Sequence, residues 1–309
     1  MLYLSTRNKT DSFTAHRVLH SECAPDGGMF LPMQIPALDD FALSNYEHMS
    51  FSEITASIMN LFFGSKLSAW DVDFTVGRQA VELVSCGYKA SLAESWHNPA
   101  GAHADFVNRL FRLVIGEKKT SIIPNAWFCT AVDIALLFGI YGRFCRQEIY
   151  TFDVAVDAGD LLLLFAVRYA QKMGLPVRTV VLGTSGEDGL WELFSLGEYQ
   201  PNEQHVLPGL ECLLWLKFGY DEVNRVLDCT TRKAAYRIKQ LELEAFRQGI
   251  FPTVVGDKRI QRIIDNTLLN GSFLMDKATA GAFGALQDYR AKTGECKNTL
   301  LFARSGRNL

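Results

Sequence analysis

Residues 149–182 read Ile149-Tyr150-Thr151-Phe152-Asp153-Val154-Ala155-Val156-Asp157-Ala158-Gly159-Asp160, then Leu161-Leu162-Leu163-Leu164-Phe165-Ala166-Val167-Arg168-Tyr169-Ala170-Gln171-Lys172-Met173, then Gly174-Leu175-Pro176-Val177-Arg178-Thr179-Val180-Val181-Leu182. Ile149 to Val156 is rich in β-branched and aromatic residues and predicts a strand, whereas Leu161 to Met173 predicts a helix. Gly174 and Pro176 stop that helix, and Val177 to Leu182 returns to strand character. Strand, helix and strand within about 35 residues is the pattern of a right-handed parallel βαβ unit, so the fold class is α/β with a parallel sheet. The first strand runs into Val156-Asp157-Ala158-Gly159-Asp160, on the side of an open α/β sheet where ligands bind.

Upstream of this unit, Ile122 to Gly142 is the most apolar stretch, interrupted by Pro124, Asn125 and Asp133. A carboxylate at mid-span is expensive in lipid, so the stretch predicts a buried core helix and no membrane partner. Downstream, Thr231 to Gln248 predicts a helix ended by Gly249, Lys258 to Leu269 a second followed by Gly271, and Lys277 to Arg290 a third. Asn298 to Ala303 predicts a closing strand. The N-terminal third reads as a strand at Tyr3–Ser5, a helix capped by Ser12, and a turn at Pro25–Gly28 leading into Met29–Pro32. Mainly helical segments follow, one capped by Ser52 and ending near Gly64, another between Ala69 and Cys86. The character changes near Leu92-Ala93-Glu94-Ser95-Trp96, which divides the chain into an N-terminal region, 1–92, and an α/β region, 93–309.

The 309 residues are 48% hydrophobic and 21% charged, the composition of a globular protein with a substantial core. Thirty-one Lys plus Arg against 34 Asp plus Glu give a net charge of −3, which supplies no field for nucleic acid. Seven scattered cysteines, none in a C-x-x-C pair, read as reduced, buried small hydrophobes. The N-terminus lacks the basic and apolar regions of a secretory signal, and a cytoplasmic location is expected.

Two places carry residues suited to chemistry. His97-Asn98-Pro99-Ala100-Gly101-Ala102-His103-Ala104-Asp105-Phe106 sets two imidazoles and a carboxylate close together, as a metal or acid–base site requires. No Cys or third His stands at ligand spacing, so the cluster predicts a turn with Asp105 near the start of a helix, and no metal. The loop ending at Asp160 leads into a helix N-terminus, which attracts phosphate or carboxylate. Asp157 and Asp160 already supply anionic oxygens, so one of them is expected to cap its own helix. The chain has no G-x-S-x-G, Walker A, H-E-x-x-H or G-x-G-x-x-G motif, and Gly183 to Gly189 reads as a turn. Cys129 has no nearby base and is not expected to act as a nucleophile.

Tyr3-Leu4-Ser5-Thr6-Arg7-Asn8, then Cys23 to Pro32 and Ile35-Pro36, resemble the N-terminal signature of the threonine synthases. Glu94 to Phe106 resembles the family's E-L-x-H-G-P-T-x-A-F-K-D-F motif, Asn125-Ala126-Trp127-Phe128 its S-I-N-W, Val154 to Asp160 its P-S-G-N-F-G-D loop, and Gly174 to Val177 its G-L-P-V. Asp276 to Ala280 stands where the family has D-P-H-T-A. The resemblance implies the fold-type-II, tryptophan synthase β-like architecture. It also implies a pyridoxal-phosphate enzyme that converts O-phosphohomoserine to threonine and phosphate, a carbon–oxygen lyase acting on a phosphate ester.

The departures fall on the chemistry. The family's Schiff-base lysine is replaced by Ala104, and Lys89 and Lys118 are many residues away. The phosphate cradle G-N-F-G reads Val156-Asp157-Ala158-Gly159, so a glycine is lost and a carboxylate gained. The family's small domain lies between the helix ending near Val114 and Pro124, where this chain has only a short connection, Ile115 to Thr120 and a few neighbours. Leu301 to Gly306 lacks the His and Pro of the family's T-A-H-P segment.

The leading expectation is a threonine synthase-like protein that has lost pyridoxal-phosphate catalysis, binds no cofactor, and acts as a binding or partner protein. The missing domain would expose apolar surface near Phe106, Phe111 and Trp127 for a protein partner or a homodimer. The alternatives are an enzyme of different chemistry using His97, His103, Asp105, Asp157 and Asp160 in the remnant cleft, which requires those side chains to converge, and a divergent threonine synthase.

Overall fold

Strands β1 (Leu2–Ser5), β2 (Phe13–Thr14) and β3 (Phe30–Pro32) pair antiparallel in the order β2-β1-β3, with helix α1 (Ala15–Leu19) between the second and third. The coordinates are a computed structural model and describe residues 1–309 apart from 78–80, 99, 118–120, 188, 202–205, 270–274 and 306–309. Thr14, not Ser12, caps α1, because its hydroxyl accepts the Arg17 N–H at 3.3 Å. Helices α2 (Asp40–Asn45), α3 (Phe51–Phe63) and α4 (Ala69–Val76) follow.

Helix α3 starts at Ser50 and not at Ser52. The Ser50 hydroxyl accepts the Glu53 N–H at 3.1 Å, and Glu53 Oε2 accepts the Ser50 N–H at 2.6 Å, a reciprocal cap that contributes about 1 kcal/mol. Ser52 lies inside the first turn and donates to Asp73 of α4. The segment expected to be helical from Ala69 to Cys86 is helical only to Val76. Its remainder forms β4 (Glu82–Gly87), because pairing with β5 (Ala90–Glu94) satisfies its backbone. Leu92, where the character of the sequence changes, lies in the middle of β5.

The chain continues through α5 (His103–Ile115), α6 (Ala126–Cys145), β6 (Phe152–Asp157), α7 (Leu161–Met173), β7 (Val177–Thr184), α8 (Leu190–Leu196), β8 (Glu198–Tyr199) and α9 (Pro208–Phe218). It ends with α10 (Tyr220–Thr231), β9 (Tyr236–Arg237), α11 (Gln240–Arg247), β10 (Ile250–Val254), α12 (Asp257–Leu269), α13 (Lys277–Thr293) and β11 (Thr299–Ala303). Of the helix expected from Thr231 to Gln248 only Gln240–Arg247 forms one, because α10 ends at Thr231 and β9 intervenes. Lys233 takes φ 53°, which breaks the helical ladder, and the buried Tyr236 hydroxyl donates back to Glu222 of α10. Gly271, expected to follow α12, lies outside the described residues.

The main sheet has the order β10-β7-β6-β11-β5-β4, parallel throughout except for the antiparallel edge strand β4. The β6-α7-β7 unit is the βαβ that the sequence predicts. Alternation divides the strand side chains between two layers. Val154, Val156, Val180, Leu182, Leu300 and Phe302 pack with α3, α6 and α7. Ala155, Val181, Leu301 and Ala303 pack with α12 and α13 on the other face.

Helix α6 is long and apolar enough to cross a membrane, but 89% of its most apolar window is buried inside the protein. The apolar surface expected near Phe106, Phe111 and Trp127 is not exposed. All three are buried, because Trp127 packs edge-on against Phe62 of α3 at 5.1 Å and Phe111 against Phe128 at 4.9 Å. Cys86, Cys145 and Cys212 are buried as expected, whereas Cys129, Cys229 and Cys296 are partly buried and Cys23 is exposed. Residues 116–125 alone join α5 to α6. A single βαβ crossover takes at least about 10–12 residues, so no α/β subdomain fits there.

Candidate functional site

The parallel neighbours β5, β11 and β6 end at one edge of the sheet, where they deliver Ser95, Arg304 and Asp157. Helix α5 brings His103 to the same edge, fixed by the His103 N–H donating to the Arg304 carbonyl at 2.8 Å. Helix α6 contributes Asp133, the one acidic side chain along its length, at 2% exposure. A lone carboxylate in so apolar a helix must be paired where it is buried, and the pairing defines the site.

The groups form a chain. Ser95 Oγ lies 3.0 Å from His103 Nδ1, and His103 Nε2 lies 3.3 Å from Asp133 Oδ1. Arg304 Nη2 donates to Asp133 Oδ2 at 2.9 Å, and Arg304 Nε lies 2.8 Å from Asp160 Oδ2. The His103–Asp133 and Arg304–Asp160 contacts are at charge-pair distance without hydrogen-bond alignment.

Burial, and then the Arg304 charge, lower the His103 pKa against the opposing pull of Asp133, so the imidazole is neutral at pH 7. Burial alone would raise Asp133, but Arg304 and His103 outweigh it and hold the carboxyl below its ordinary value. Burial likewise opposes the charge on Arg304, and Asp133 with Asp160 overcomes it and raises the guanidinium pKa. Cys129, near the same groups, is pushed up to about 11 by burial and then by Asp133, so it stays a thiol as expected.

Ser95, His103 and Asp133 stand in the order of a nucleophile, base and orienting acid. They are 1%, 7% and 2% exposed, however, and none lines the cavity at the strand ends. That cavity holds about 50 Å³ among Val156, Asp157, Asp160, Phe302 and Arg304, room for a water or two where small-molecule sites take roughly 300–1,000 Å³. A larger cavity of about 500 Å³, bordered by Arg7, Cys23, Met29, Pro124 and Asn125, touches none of the strand ends.

The loop after β6 is closed by its own acids. Asp157 Oδ1 accepts the Gly159 N–H at 2.9 Å, and Asp160 Oδ1 accepts the Leu163 N–H at 3.0 Å, so both aspartates cap and not one. On its other side Asp157 abuts α13, where a Cβ at Gly281 would come within 2.2 Å of Asp157 Oδ2. A phosphate in this loop needs the same amides. It would also meet the carboxylates at a cost of about 4 kcal/mol per unit charge at about 4 Å and an effective dielectric near 20. Ala104, the second residue of α5, forms no imine. Lys89 precedes β5 at the opposite end of the sheet, and Lys118 lies outside the described residues.

Of the sequence candidates, His103 and Asp160 share the Arg304 network. His97 turns instead to Glu94 at 2.7 Å, Asp105 pairs with Arg109 at 2.6 Å in the first turns of α5, and Asp157 caps the loop. Pro99 lies outside the described residues. Asp133, Ser95 and Arg304 are the residues that sequence reasoning missed. The signal for Asp133 was present, a charge interrupting an apolar run, but Arg304 stood in a segment noticed only for lacking a His and a Pro.

The N-terminal signature fastens elements together. Arg7 pairs with Glu211 of α9 at 2.9 Å, Thr6 donates to the same carboxylate, and Asp26 accepts from the Ser5 hydroxyl at 2.7 Å and the Gly28 N–H at 2.9 Å. A side chain at Gly28 would strike Ser5 Oγ at 2.2 Å, which accounts for the glycine.

Residues 2–78 match the family model for the threonine synthase N terminus. The chain is similar to the threonine synthases in this N-terminal region. It is 29% identical over 130 residues to threonine synthase of Schizosaccharomyces pombe, covering 38% of this chain and 25% of that one. It is 30% identical over 114 residues to human threonine synthase-like 2, covering 34% and 24%. The match thus spans about a quarter of the length of these relatives. The solved threonine synthase of Brucella melitensis, with pyridoxal phosphate bound, superposes with a TM-score of 0.80 at 16% identity, over 99% of this chain and 88% of that one. The yeast enzyme gives 0.76 at 15%, over 98% and 87%. The α/β fold expected from the resemblance is the fold observed.

Proposed function

We propose that this threonine synthase-like chain carries out no pyridoxal-phosphate chemistry and works as a protein-binding partner. The observation that carries the first half is the loop after β6, whose Gly159 and Leu163 N–H groups already serve Asp157 and Asp160. Ala104 and the 50 Å³ cavity support the same reading. The dispersal of His97, Asp105 and Asp157 weighs against an enzyme of different chemistry in the remnant cleft.

The second half rests on α4. Trp70 and Phe74 stack at 5.1 Å while 68% and 78% exposed, beside a groove lined by Phe74, Arg109, Arg112 and Leu113. Exposed paired aromatics next to arginines suit an apolar, acidic protein surface, and a second copy of this chain, with its net charge of −3, is the first partner to test. The test is twofold. With pyridoxal phosphate and O-phosphohomoserine the protein releases no phosphate, and in sedimentation the wild type associates whereas Trp70→Ser with Phe74→Ser is monomeric. Turnover defeats the first half, and a wild type that stays monomeric at every concentration defeats the homodimer.

A further inference from the structure

Glu94 and Ser95 are consecutive in an extended chain, so their side chains leave on opposite faces. Ser95 joins the buried network, and Glu94, 6% exposed, faces a second cluster. The β4–β5 register sets Glu82 directly opposite Glu94. Two carboxylates opposed across an antiparallel pair repel each other, and here one of them is also desolvated. Sequence reading gave no role to this pair. His97 completes the cluster, with Nε2 at 2.7 Å from Glu94 Oε2 and 3.8 Å from Glu82 Oε2. Trp96 stacks on its imidazole at 4.2 Å and fixes the ring.

Arg143, beside Val81, feels the Glu82 charge but makes no ion pair with either carboxylate. It donates to the Val81 carbonyl at 2.7 Å and lies over the Phe51 ring at 4.8 Å. No Lys or Arg side chain comes within ion-pair distance of Glu82 or Glu94 among the described residues. The three ligand atoms lie within 4.8 Å of one another. Ligands about 2.1 Å from a tetrahedral zinc are roughly 3.4 Å apart, a value that the two imidazole distances bracket.

We propose that Glu82, Glu94 and His97 form a binding site for a divalent transition cation of the zinc type. One imidazole and two carboxylates supply three ligands and leave a fourth position for water. Binding replaces the proton that His97 Nε2 shares with Glu94, and that proton leaves to solvent. The cation removes the repulsion built into the strand register. The site is separate from the Arg304 network, and its existence does not depend on the function proposed above.

The experiment titrates the full-length chain with zinc by calorimetry and with cobalt by visible absorption. The wild type takes up one equivalent of either metal, with cobalt giving a d–d band. Glu82→Gln, at a half-exposed position, weakens zinc at least tenfold, and His97→Gln abolishes the cobalt band while circular dichroism shows both variants folded. Absence of stoichiometric binding in the wild type overturns the proposal. So does binding that both variants retain, or a thiolate charge-transfer band placing the metal on a cysteine such as the exposed Cys23.

Discussion

Arg304 Nη2 sits 2.9 Å from Asp133 Oδ2, joining the last strand of the sheet to the middle of its most buried helix across 171 residues of sequence. The same guanidinium reaches Asp160 at the start of α7. One side chain thus holds three elements at the strand ends, where α/β folds place their ligands.

Replacing Arg304 with Met leaves Asp133 buried without its cation. Breaking such a pair costs about 3–5 kcal/mol, whereas removing both charges with apolar residues of similar volume is often close to neutral. Arg304→Met should therefore lower the urea midpoint sharply, and Asp133→Leu combined with Arg304→Met should recover most of the loss. Equal destabilisation by the single and double variants would show that the pair is not the cause.

Stability should fall on acidification in two stages. Burial and Arg304 hold the folded His103 pKa below the unfolded value of about 6.5, so the unfolded chain takes up that proton first. The contribution is complete above about pH 6.5 and is lost as the pH falls toward the folded value. Asp133, also depressed, adds a further loss below about pH 4. Melting temperatures between pH 7 and 5 test the first stage: the decline in the wild type should flatten in His103→Gln, and an unchanged slope would remove His103 from the account.

Gly281→Ala drives a methyl group toward Asp157 Oδ2, to 2.2 Å before relaxation. Overpacking of this kind costs about 1–3 kcal/mol. The cost should shrink when Asp157→Gly is added, and a double-mutant cycle by denaturation reads the coupling. An additive pair would mean that Asp157 does not press on α13.

The parts of the fold that the sequence reveals are those decided locally. Gly174 and Pro176 end α7, and the β-branched runs on either side of it become β6 and β7. Where two local readings compete, the sequence misleads: Ser50 and Ser52 are both fit to cap α3, and only Ser50 has Glu53 three residues on to reciprocate. Lys233 gives no sign in its chemistry that it will take φ 53° and split a helical pattern. The site was half legible. Asp157 and Asp160 announce caps, and Asp133 announces that it needs a partner, but a partner on β11 is a property of the tertiary fold. Phe106, Phe111 and Trp127 are apolar in any reading, and only the placement of α3 shows what covers them.

The most direct measurement incubates the purified protein with pyridoxal phosphate, reduces it with borohydride, and locates any pyridoxyl group by peptide mass spectrometry. With Ala104 in place of an amine and the loop amides held by Asp157 and Asp160, no single lysine should carry a stoichiometric label and dialysis should remove all visible absorbance. One equivalent fixed on one lysine would contradict the account.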